Sequence, residues 1–169
     1  MKKTKGFTLV ELLLTAFLFA MVMAMVGTVF QRGQAQAELN DGKMVLQGTL
    51  RETLYRMGQE IRETSPSRVS VTNAGATLTF QIPASVNNSG VITWSGPITY
   101  QLGGNGTQLI RTNAAGQTSV LANNVQGIIF TATGAPIATV NYTVTTRRTL
   151  PNGRILTLTS TGEARFRNP

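Results

Sequence analysis

The 169 residues predict an α+β protein in which one long helix covers a mainly antiparallel sheet. Three observations carry this prediction. An apolar run at residues 7–30 leads into a stripe of helical period that lasts to about Thr64. Beyond Arg68 the apolar period drops from about 3.6 to 2, the change expected on passing from helix to strand. Asn- and Gly-rich turn signals then punctuate the second half. Helix first and strands afterwards is the order of an α+β fold, not of an alternating α/β fold. The chain accordingly divides into a basic leader at 1–6, a membrane-length segment at 7–30, an amphipathic continuation at 31–64 and a β-rich domain at 65–169.

Lys2, Lys3 and Lys5 precede the apolar run, whose 24 residues hold one charge, Glu11. As a helix, residues 7–30 extend about 36 Å, enough to cross a hydrocarbon layer of about 30 Å. Leu12, Leu14, Phe17, Phe19, Met21 and Met23 cover every side of it, as in a membrane helix rather than an amphipathic surface helix. A cleaved secretory signal is the rival, with Ala35-Gln36-Ala37 as a small-residue site before Glu38. The apolar core of such a signal is roughly 7 to 15 residues long and uncharged, so run length and Glu11 both oppose it. Three lysines before the span and only Arg32 close after it keep the amino terminus cytoplasmic and place the larger domain outside. An acid at bilayer depth costs on the order of 3 kcal/mol, somewhat less near a helix end. Two readings of Glu11 stand at this point: it lies at the cytoplasmic headgroups, or it awaits a partner.

After Phe30 the composition turns polar while Leu39, Lys43, Leu46, Leu50, Leu54, Met57 and Ile61 recur at three and four residues, a stripe that faces a core. Glu52 and Arg56 add a favourable i,i+4 pair on the opposite face. Gly33, Gly42, Gly48 and Gly58 each weaken a helix by up to about 1 kcal/mol, so packing must hold it. Pro66 ends it, because the residue before a proline is pushed out of helical geometry.

Four segments then alternate. Ala76, Leu78, Phe80 and Ile82 share one face; so do Ile98, Tyr100 and Leu102, and so do Ala138, Val140, Tyr142 and Val144. Leu156, Leu158, Ala164 and Phe166 share one parity, with Ser160 and Gly162 between them. Residues 73–75, 103–106, 113–116 and 134–136 read as turns, and Asn152-Gly153, a pair that favours positive φ at both positions, reads as the turn of a hairpin whose loop length the arm bearing Arg147 and Arg148 leaves open. The helix from about Leu39 to Ile61 is the long amphipathic element available to cover the apolar face. Trp94, the one tryptophan, is expected in the core.

There is no cysteine and no histidine, and beyond Arg68 the one acid is Glu163. That excludes a disulfide frame, a thiolate metal site, a Ser/His/Asp set and a carboxylate cage in the second half. Glu52, Glu60 and Glu63 on the helix are the remaining acids an enzyme could use there. The reading is therefore of a non-enzymatic protein without cofactor or metal. The formal charge of +8 is read first as a solvated surface.

The segment Lys5-Gly6-Phe7-Thr8-Leu9-Val10-Glu11-Leu12-Leu13 resembles the amino-terminal signature of type IV pilin-like proteins: major and minor pilins, and the pseudopilins of type II secretion systems. The resemblance covers about the first thirty residues and implies a pilin-like architecture. It implies that a prepilin peptidase cuts between Gly6 and Phe7 and methylates the new amine of Phe7. It also gives Glu11 a partner, the amine of Phe7 on a neighbouring subunit. The implied partners are the peptidase, other pilin or pseudopilin subunits, and the inner membrane before assembly, with the second half in the periplasm and the assembled filament beyond. Without the cysteines of a disulfide loop or the acids of a calcium loop, the chain looks most like a minor pilin or minor pseudopilin. A second hypothesis is a DNA-uptake pilin whose Arg147, Arg148, Arg154, Arg165 and Arg167 contact phosphates. Unlike many major pilins, this chain has no proline before Pro66, so the weak point of its apolar helix is expected at Gly27-Thr28.

Overall fold

The computed structural model describes residues 8–167. One helix, α1, runs from Leu9 to Glu63. Ten strands follow: β1 (Val69–Thr72), β2 (Thr77–Phe80), β3 (Pro83–Val86), β4 (Ile92–Trp94), β5 (Ile98–Gly103), β6 (Gln108–Thr112), β7 (Thr118–Asn123), β8 (Val125–Thr133), β9 (Thr139–Thr149) and β10 (Ile155–Arg165). They form a five-stranded sheet ordered β1-β2-β5-β6-β7, a three-stranded sheet ordered β10-β9-β8, and the β3-β4 pair. Every pairing is antiparallel. The fold is α+β, as the change of period predicts.

The chain divides into two compact units, the first ending at Asp41 and the second beginning at Gly42. In the first, the helix passes through Gly27 and Thr28 without a break, and the Thr28 hydroxyl donates to the Met25 carbonyl at 2.7 Å. The expected weak point is therefore regular helix. The apolar part of α1 is long and apolar enough to cross a membrane.

In the second unit the buried helical positions are Gly42, Leu46, Leu50, Thr53, Met57, Gly58 and Ile61. Steps of three and four place them on one face. Lys43, read as part of the stripe, is exposed, and Gly42 is buried in its stead. Two of the helical glycines serve close approach. A Cβ at Gly42 would come within 2.8 Å of Leu150 Cδ2, and one at Gly58 within 2.6 Å of the Tyr142 hydroxyl oxygen. Leu50, Met57 and Ile61 join Leu78, Phe80, Ile98, Tyr100, Leu109, Ile128, Phe130, Val140, Tyr142 and Val144 in one core. The helix ends at Glu63; the Thr64 hydroxyl donates to the Gln81 carbonyl, and Pro66 opens a short 3-10 turn.

The sheets hold more strands than the alternation predicts. β1, β3, β4, β6, β7 and β8 lie outside the four predicted segments, being short, weakly alternating or interrupted. In β8 a bulge between Val125 and Gly127 lets Val125 and Ile128, three apart, both be buried, which breaks the period-two pattern. The segment expected to start at Ala76 starts at Thr77, after a 3-10 turn in which Asn73, Ala74 and Gly75 all have positive φ. Ala138 is exposed, and β9 starts one residue later. β9 and β10 form the expected hairpin, pairing from Thr149↔Ile155 to Thr139↔Arg165. Its turn differs from the expected one, because of Asn152 and Gly153 only Gly153 has positive φ. Leu150 N–H donates to Arg154 C=O at 2.8 Å, and Gly153 N–H to Leu150 C=O at 2.9 Å, so the loop, whose length the sequence left open, is longer than two residues and built on a tight turn. Trp94 is half-buried rather than core: it lies on the small β3-β4 pair, with the Arg68 guanidinium 5.4 Å from its ring centroid.

Candidate functional site

The first turn of α1 is closed by its own side chains. Thr8 precedes the helix, and both its backbone N–H and its hydroxyl donate to Glu11 Oε2 at 3.0 Å. In return Glu11 N–H donates to Thr8 Oγ1 at 3.3 Å, and Leu12 N–H to the Thr8 carbonyl at 3.2 Å. This is a capping box: a hydroxyl residue at the cap and an acid three residues later satisfy donors that no helical carbonyl can reach. A carboxylate at a helix amino terminus also meets the positive end of the helix dipole. Neither reading of Glu11 from the sequence, headgroup placement or a partner still to come, included this engagement by Thr8. The Thr-x-x-Glu spacing that signals this cap was there to be read.

The other polar groups of the apolar segment are satisfied in the same way. The Thr15 hydroxyl contacts the carbonyls of Glu11 and Leu12, both at 2.9 Å, and Thr28 bonds Met25. Within residues 8–30, Thr8, Glu11, Thr15 and Thr28 are all the polar side chains there are. Each has a partner inside the helix, the condition for placing polar groups where no water can reach them.

Residues 1–27 match the prokaryotic N-terminal methylation motif. The chain carries the signal of type IV pilins. Thr8, Glu11 and the apolar helix up to Gly27 lie within this methylation motif, and so do Gly6 and Phe7, which lie outside the described residues. The methylation motif implies processing by a prepilin peptidase and assembly with other pilin subunits. With the membrane-length helix behind it, the motif fits a protein anchored in the inner membrane. No curated protein matches the chain.

In the second unit Glu52, Glu60 and Glu163 are each paired with an arginine. Glu60 Oε2 accepts from Arg111 Nε at 2.9 Å and from the Tyr100 hydroxyl at 2.8 Å, tying α1 to β5 and β6. Burial, helped by the Glu60 charge, pushes the Tyr100 phenol far above its ordinary range against the pull of Arg111. Burial alone would lower Arg111, but the Glu60 carboxylate outweighs it and holds the guanidinium charged. Glu52 lies 4.0 Å from Arg56, both exposed, and Glu163 lies 2.9 Å from Arg165. Among the described residues no three His, Cys, Asp or Glu side chains gather as a metal site would require.

The five arginines considered for phosphate contacts fall into two groups. Arg147 and Arg148 lie near the loop end of the β9-β10 hairpin, with Arg154 in that loop. Arg165 and Arg167 are at the other end. Arg147 stands opposite Thr157, eight residues before Arg165, which at about 3.3 Å per residue separates the groups by roughly 26 Å.

Proposed function

We propose that the chain is a minor pilin or minor pseudopilin, a structural subunit that primes or assembles a type IV pilus-like or type II secretion filament. The prepilin peptidase cuts between Gly6 and Phe7 and methylates the Phe7 amine. Residues 7–30 hold the subunit in the inner membrane with the amino terminus cytoplasmic, and the β-rich domain lies in the periplasm until assembly. Glu11 then receives the Phe7 amine of a neighbouring subunit, and the chain itself catalyses no reaction.

The observation that carries this reading is the methylation motif placed on a capped apolar helix. Before assembly the capping box keeps Glu11 Oε2 occupied by Thr8. A neighbour's amine would add a full opposite charge, whose attraction at close range where solvent is excluded far exceeds that of a hydroxyl, although desolvation offsets part of it. Register between otherwise uniform apolar helices follows from that one pairing. The test is incorporation: in a host assembling its filament, Glu11→Ala should leave the subunit in the membrane fraction and out of sheared filaments. Wild-type levels of the variant in filaments would defeat the reading.

A further inference from the structure

We propose that the free edge of β10 is a docking site for an extended, acidic strand of a partner polypeptide, added beside β10 and over the flank of α1. Among the described residues β10 is the outer strand of its sheet and pairs on one side only, with β9. The Leu150–Arg154 hydrogen bond continues the β9-β10 register, so the even-numbered residues of β10 turn their N–H and C=O toward β9. Alternation then turns those of Ile155, Thr157, Thr159, Thr161, Glu163 and Arg165 outward. Arg167 follows the same parity, its N–H donating to the Arg62 carbonyl of α1 at 2.9 Å. The helix end thus closes this edge just past the strand and leaves the strand itself open.

Edges of this kind are normally blunted by shortness, bulges, prolines or charges. β1 is four residues long, and the pairings of β7 and β8 each carry a register shift. β10 is 11 residues long and pairs with no register shift. Its stretch 157–161 holds no charge and no proline. Beside it runs a groove of about 480 Å³ lined by Gln47, Leu50, Arg51 and Leu54 of α1 and by Leu158, Thr159 and Ser160 of β10. The outward N–H and C=O groups call for a backbone, and Leu50, Leu54 and Leu158 call for apolar side chains at alternate positions.

The charge of the occupant follows from the rim. Arg51 is exposed, and Arg62 flanks the same edge beside Glu163 and Arg165. They stand eleven residues apart on α1, about three turns, and so face the same way roughly 16 Å apart. A strand lying along β10 would pass both guanidinium groups, so carboxylates at groove-facing positions are the complement. A second copy of this chain offers no such edge, because β10 carries one acid, Glu163, already paired with Arg165.

The test uses the full chain in detergent micelles and a synthetic peptide of alternating Val and Thr with Asp at one Val position, followed by amide chemical shifts and hydrogen exchange. The amides of Thr157, Thr159 and Thr161 should shift and become protected, while those of Leu158 and Ser160, already bonded to β9, should not. Thr159→Pro should abolish binding. Arg51→Glu, which leaves the strand intact, should weaken the Asp peptide roughly threefold and strengthen a Lys counterpart. Absence of binding, equal binding by both variants, or protection of the same three amides without peptide as protein concentration rises would each overturn the proposal, the last by making the occupant a second copy.

Discussion

Gly58→Ala should destabilise the protein, although alanine is the better helix former. Gly58 is buried, and the new methyl would stand 2.6 Å from the Tyr142 hydroxyl oxygen and 3.9 Å from the ring carbon that bears it. That hydroxyl donates to the Leu54 carbonyl at 3.0 Å. The ring cannot simply retreat, because Tyr142 lies directly over its cross-strand partner Gly162, where any Cβ would overlap it. Overpacking costs about 1–3 kcal/mol, and loss of the hydrogen bond costs about 1 kcal/mol. Relief of the glycine penalty returns about 1 kcal/mol. The net is a loss of about 1–3 kcal/mol, read by chemical denaturation of the full chain in micelles with circular dichroism as the signal. Gly48→Ala, whose Cβ would meet nothing within 4 Å, should instead gain up to about 1 kcal/mol. In the double variant Gly58→Ala/Tyr142→Phe the offending oxygen is gone, and most of the loss should be recovered. Wild-type or greater stability for Gly58→Ala alone, or no recovery in the double variant, would refute the reasoning.

Thr8→Ala should remove the capping box and cost the start of the helix about 1 kcal/mol, seen as faster amide exchange at Leu9 to Leu12 with the second unit unchanged. Glu60→Gln should destabilise the protein by about 1–3 kcal/mol, since it leaves the partly buried Arg111 without its carboxylate; unchanged denaturation would contradict that. Stability should also fall at high pH. Because the folded Tyr100 phenol titrates above its unfolded value of about 10, its contribution is intact below that pH and is lost as the pH rises past it toward the folded value. Tyr100→Phe should flatten this alkaline slope, leaving the part due to Tyr142, which burial also raises.

The helix was legible in the sequence because a long apolar run and a three-four stripe are strong, local signals. Its end at Pro66 was legible because proline constrains the residue before it. Strands β2, β5, β9 and β10 showed through alternation such as Val140, Tyr142, Val144. Strand β8 did not, since its bulge shifts the buried parity between Val125 and Ile128. Nor could the role of Gly42 and Gly58 be read: a glycine that admits a side chain distant in sequence, as Gly42 does Leu150 and Gly58 does Tyr142, looks the same as one that merely weakens a helix. At the candidate site, Glu11 stood out as an acid in an apolar run, while its engagement by Thr8 lay in a spacing of three residues whose meaning depends on where the helix begins.

The central claim is that this chain is processed as a prepilin, and intact-mass analysis of protein from a host containing the peptidase tests it most directly. The account predicts a chain that starts at Phe7 and carries one added methyl group. A chain retaining residues 1–6 with no added methyl would contradict it.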